Sequence, residues 1–80
     1  MTALDRYMDF INFRRGFLFD LPPLDPYRDY VEVRSEVEAM GTPENLSMDG
    51  ELNRAETEHR TNEWLDAMQE LIWIGEELMA

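Results

Sequence analysis

At 80 residues the chain has room for one domain with a thin core, because a chain this short buries only about 60% of the surface its unfolded form exposes. A hydrophobic fraction of 44%, with four Phe, three Tyr and two Trp, excludes a disordered acidic tail, and the absence of cysteine excludes a disulfide framework and thiolate metal sites. Eighteen acidic residues against seven basic ones, all arginine, give a net charge of -11, which works against attraction to anionic lipid and against direct binding of nucleic acid.

Thr2 followed three residues later by Asp5 makes a capping-box start, and Leu4, Tyr7, Met8 and Ile11 recur at helical spacing until Gly16, which predicts a first helix over residues 3–15. The stretch Phe17-Leu18-Phe19-Asp20-Leu21-Pro22-Pro23-Leu24 holds two prolines that forbid a regular element, yet it is too apolar for a solvated loop. It is expected to be a connector packed on the core. Asp25 before Pro26 is an N-cap with proline at the first helical position, and Gly41 after Met40 is a stop, which predicts a second helix over 26–40. Thr42-Pro43-Glu44 repeats the cap-and-proline signature for a single turn. Ser47 to Gly50 then offers a fresh start for a long third helix over 49–78, with the polar stretch Asn53 to Glu63 as its weakest part. No strand pattern, repeat or low-complexity segment competes. The expectation is an all-α fold: one domain over residues 1–80, three helices, an apolar proline-containing connector between the first two, and a long C-terminal helix. Leu71-Ile72-Trp73-Ile74 is far too short to span a bilayer, and MTALDRYMDF has neither a basic flank nor a signal-type apolar core, so the expected compartment is the cytoplasm.

The acid is unevenly placed: residues 1–19 sum to +1, residues 20–58 to -8 and residues 59–80 to -4. On the second helix Asp25, Asp29, Glu32 and Glu36 fall within a stripe about 60° wide, while Tyr27, Tyr30, Val33, Val37 and Met40 fall on another face. Such a stripe is either a solvated face or an imitation of a run of phosphates, which a groove lined with arginine and lysine would accept by the electrostatics it uses for DNA. On the third helix Asp49, Glu56, Glu63, Glu70 and Glu77 follow one another every seven residues and form a second acidic edge, partly neutralised where Arg60 follows Glu56 by four. Trp64, Met68, Leu71, Gly75 and Leu78 line its apolar face, with Leu65, Ile72 and Met79 widening it. Trp73 projects from nearly the opposite side, among Asp66, Glu70 and Glu77. Two readings of it are open: packing under the connector or against a second subunit, and direct contact with a partner as an interface anchor.

Catalytic parts are missing. The chain has a single histidine, no glycine-rich phosphate loop and no serine with a base nearby, so an enzyme is not expected. His59, three residues after Glu56, has the spacing of half a di-iron helix-bundle site, but a solvated histidine on a polar helix is commoner; no metal and no cofactor are expected.

The small size, the acidity, the missing cysteine and the carboxylate rows together resemble the acidic anti-CRISPR inhibitors that phages encode against type I interference (Cascade) complexes. The resemblance covers the whole chain in character and rests on no diagnostic motif. It implies host defence evasion inside the bacterial cell, with acidic faces occupying basic channels meant for target DNA. The partner-binding residues expected on this reading are Asp25, Asp29, Glu32 and Glu36, then Glu63, Asp66, Glu70, Trp73 and Glu77. The alternative is an oligomerising structural or adaptor protein whose apolar C-terminal helix pairs with a copy of itself, because Leu71 to Ile74 is apolar almost all round. An antitoxin-like partner of a basic toxin shares the acid logic, but it usually calls for a disordered or extended segment that the cap signals here oppose.

Overall fold

The computed structural model describes residues 2–42 and 54–80, and it is a small all-α domain of three helices: α1 (Ala3–Phe19), α2 (Tyr30–Met40) and a long α3 (Arg54–Met79). Beyond Thr42, the single turn expected at Thr42-Pro43-Glu44 lies outside the described residues, as does the expected start of the third helix at residue 49.

The start of α1 is a capping box. Thr2 Oγ1 accepts the Asp5 amide at 3.2 Å, and the Asp5 carboxylate accepts the Thr2 amide at 3.2 Å. A third amide of this first turn, that of Leu4, donates to Glu70 of α3 at 2.8 Å, so the helix end is also tied to the neighbouring helix. Contrary to the expected stop at Gly16, α1 continues to Phe19. A glycine inside a helix costs only about 1 kcal/mol relative to alanine, and here it keeps helical geometry. What ends the helix is Asp20, whose φ of 51° is left-handed, with the amides of Asp20 and Leu21 both donating to the Arg15 carbonyl. Pro22 and Pro23 follow directly, and they disfavour further helical turns.

The connector is not packed on the core as a whole. Phe17, Leu18 and Phe19 belong to α1 and are exposed, as is Leu21; only Leu24 is buried. Leu24 is held by a two-point clamp, its amide donating to Asn12 Oδ1 at 2.7 Å and its carbonyl accepting from Asn12 Nδ2 at 3.2 Å. Asp25 then caps a turn as its sequence signature predicts: its Oδ1 accepts the amides of Tyr27 and Arg28. Regular helix nevertheless begins four residues later than expected, at Tyr30, because Asp29 leaves helical geometry with φ of -115° and ψ of 39°.

α1 and α2 both run against α3. Leu4 and Arg6 of α1 meet Glu70 and Glu63, while Tyr30 of α2 lies on Gly75 and the indole nitrogen of Trp64 donates to the Val37 carbonyl at 2.7 Å. The core is Ala3, Leu4, Met8 and Ile11 of α1, Leu24 of the connector, Val33 and Val37 of α2, and Ala67, Leu71 and Ile74 of α3, edged by Tyr7, Tyr30, Met40, Trp64 and Met68. The buried face of α3 is therefore rotated from the expected one: Ala67 and Ile74 replace Leu65, Ile72, Leu78 and Met79, all of which stay exposed. Ala67 is small enough for close helix approach, and Gly75 leaves the space that the Tyr30 hydroxyl fills. Gly41 does end α2, but at a negative φ of -83°; glycine is needed there because a Cβ would enter the ring of Trp64.

Three substitutions test these contacts by chemical denaturation. A Cβ at Gly16 meets nothing within 4 Å, so Gly16→Ala is expected to stabilise by about 0.5–1 kcal/mol, whereas Gly75→Ala displaces Tyr30 and is expected to destabilise by about 1–3 kcal/mol. Asn12→Ala leaves the Leu24 amide and carbonyl unpaired and is expected to cost about 1–3 kcal/mol.

Candidate partner-binding surface

Of the four carboxylates expected to share one face of the second helix, three are engaged within the chain. Asp25 caps the turn before α2. Asp29, at the N-cap position of α2, accepts from Arg28 at 2.8 Å and from the Asp25 amide at 3.1 Å, and the Arg28 guanidinium holds its carboxyl below the usual range, the Asp25 amide adding to the effect. Its contribution to stability is therefore present at neutral pH and is lost as pH falls through that lowered value. Glu36 accepts from Arg14 of α1 at 2.7 Å. Glu32 is left in solvent. A single stripe of these four needs a helix from residue 26; with α2 starting at Tyr30, Asp25 and Asp29 belong to the capping turn instead.

The sevenfold-spaced row on α3 is likewise a seam. Glu63 pairs with Arg6 at 2.9 Å, Glu70 accepts the Leu4 amide, and Glu77 accepts the Tyr27 hydroxyl at 3.1 Å. These acids hold the N-terminus of α1 and the turn before α2 onto α3, and their spacing follows from the α3 face they share. Asp49, the first of the row, lies outside the described residues. Asp66 is exposed, and Trp73 is 58% exposed. Residues 66, 70, 73 and 77 are separated by four, three and four positions, so they stand on one side of α3. The indole thus sits in water between carboxylates, and the expectation that it packs under the connector is not met.

His59 lies 3.9 Å from Glu63 and is well exposed, and no group of metal-ligating side chains is present among the described residues. No helix of the described residues is long and apolar enough to cross a membrane.

Two features escaped the sequence reading. Arg6, Arg14 and Arg60 line an open groove of about 430 Å³ floored by Tyr7, Phe10 and Met40, with Glu63 on its wall. Its three arginines come from distant chain positions, so no local spacing signals it. The other is an aromatic stripe on α1, where Phe10, Phe13 and Phe17 are all exposed, the rings of Phe13 and Phe17 stack at 5.6 Å, and Arg14 lies over Phe10. Its i, i+3, i+7 spacing is visible in the sequence once the helix is carried through Gly16.

Tyrosine ionisation reports the seam. The hydrogen bond that Tyr27 donates to Glu77, together with the negative charge of that residue, raises the Tyr27 pKa; burial and Glu63 raise that of Tyr7, against the opposing pull of Arg60. The Tyr27 bond is fully present below the ordinary tyrosine value of about 10 and is lost as pH rises through the raised one. Ultraviolet titration is expected to show late-ionising tyrosine, and Glu77→Gln is expected to move Tyr27 back towards the ordinary value.

Comparison of the chain with protein-family models, with curated proteins and with solved structures gives no match.

Proposed function

We propose that this protein is a non-enzymatic inhibitor that binds a basic, nucleic-acid-binding surface of a larger complex through the outer side of α3, with Trp73 as the anchor. The observation that carries this reading is the exposed indole of Trp73 on the same side of the helix as the exposed Asp66, with Glu70 and Glu77, which also hold the Leu4 amide and the Tyr27 hydroxyl, beside it. Tryptophan is enriched among residues that dominate binding energy, and a net charge of -11 steers a cationic surface towards it. Competition with nucleic acid follows, since both ligands would release counterions from the same arginine- and lysine-lined groove. The resemblance to phage anti-CRISPR inhibitors makes a type I interference complex the first partner to test, with blocked target-DNA binding as the effect.

Relative to the sequence expectation, the weight moves from the second helix to α3. Asp25, Asp29 and Glu36 are already satisfied within the fold, and withdrawing them would cost structure as well as charge. The adaptor reading retains support from the exposed Leu65, Ile72, Leu78 and Met79 of α3.

Binding to a purified type I complex, measured across a salt series and in competition with target DNA, separates these readings. Trp73→Ala is expected to weaken binding by about 2 kcal/mol or more, about thirtyfold, and binding is expected to fall steeply with salt. A Trp73→Ala protein that binds unchanged, or binding that ignores salt and DNA, would sink the inhibitor reading; sensitivity to Ile72→Glu in its place would favour the adaptor.

A further inference from the structure

The C-terminal half of α1 is the least explained surface of the molecule. Beyond Ile11 the helix buries no side chain, yet it carries Phe13, Phe17, Leu18 and Phe19. Phe10, Phe13 and Phe17 are 54%, 69% and 75% exposed on one side, and Phe19 is 62% exposed on another, with Leu18 between. Large apolar side chains thus stand in water on more than one side of this segment, with Arg14 and Arg15 among them, and contiguous apolar area of this kind marks an interaction surface. With about 200 Å² available on each phenylalanine, these four leave about 500 Å² of apolar area in water per chain.

We infer that this half of α1 is a homodimer interface, covered by the same segment of a second copy of the chain. Charge selects the occupant. The molecule carries -11, so copies repel one another over most of their surface, but residues 9–20 sum to zero: Asp9 and Asp20 against Arg14 and Arg15. A basic partner, which the acid elsewhere attracts, gains nothing at this end, and an acidic partner is repelled by the rest of the molecule. A second copy matches. Two α1 segments packed antiparallel bring neutral surface against neutral surface, Arg14 keeping its own partner Glu36. The stacked rings of Phe13 and Phe17 would lie within that contact, already ordered against each other. Phe10, Phe13 and Phe17, which share a side, bring about 800 Å² together from two copies, and Leu18 and Leu21 carry the contact towards the lower limit of about 1,000 Å² for a specific interface. This interface is separate from the side of α3 that holds Trp73, and a dimer would present two such sides to one partner, raising avidity. The inference does not depend on the inhibitor reading.

Sedimentation equilibrium of the full chain, from low-micromolar to near-millimolar concentration, tests it. The expected mass at the upper end is twice the 9.5 kDa of one chain. Phe13→Glu combined with Phe17→Glu is expected to halve that mass with unchanged far-ultraviolet circular dichroism, since both side chains are exposed. Should the double variant lose helicity, the milder Phe17→Ser is expected to raise the dimer dissociation constant by about tenfold or more. Ile72→Glu, on α3, is expected to leave the dimer intact. A monomer at every concentration would overturn the inference and leave this surface to a foreign partner. So would a dimer that survives the α1 substitutions, or one that Ile72→Glu alone dissociates.

Discussion

The structure depends on one face of α3. A chain of 80 residues cannot enclose a deep core, and here the ten apolar residues buried among those described form a single layer in which α1 and α2 are each laid against the longest helix. Close approach is possible because α3 offers Ala67 and Gly75 where those helices come in, and its edges then provide the polar contacts: Trp64 to the Val37 carbonyl on one side, Glu63 and Glu70 to Arg6 and the Leu4 amide on the other. Much of the acid that dominates the composition follows from this arrangement. Carboxylates that satisfy an exposed helix N-terminus, a phenol and a guanidinium are structural before they are functional.

That division bears directly on function. A protein that used all its acid to imitate phosphates would present long uninterrupted rows, whereas here both rows found in the sequence are interrupted by internal partners. Around the exposed Trp73, Asp66 faces water while Glu70 and Glu77 are shared with the Leu4 amide and the Tyr27 hydroxyl, a form closer to an interface anchor with a charged surround than to a copy of a DNA strand. The apolar surplus is similarly unequal. The expected surplus at Leu71 to Ile74 is halved, because Leu71 and Ile74 are buried, and the larger surplus is on α1, in Phe10 and Phe13 and in Phe17 to Phe19, the last three expected to form part of a packed connector.

The helix count, the all-α class and the capping chemistry at Thr2 and Asp25 were legible in the sequence because each depends on residues within one turn. Gly16 misled because the penalty for a helical glycine is smaller than the combined preference of its neighbours, and the true stop needed Asp20 to take a left-handed conformation that sequence does not announce. The buried face of α3 was rotated because hydropathy weighs Leu65 and Ile72 above Ala67, while packing of two helices on one rewards small residues. The candidate site was legible in part. The place of Trp73 among acids follows from its helical spacing, but the internal partners of Glu36, Glu63 and Glu70 come from distant residues and could not be seen in spacing alone.

The central claim is that Trp73, and not Trp64, is the tryptophan that meets a partner. Fluorine NMR of the protein labelled with fluorotryptophan gives one resonance for each, and titration with a purified type I interference complex follows both at once. The account predicts that the Trp73 resonance shifts and loses its sensitivity to solvent while that of Trp64, hydrogen-bonded at the end of α2, stays in place. A complex that forms while the Trp73 resonance remains unchanged and solvent-exposed would contradict it.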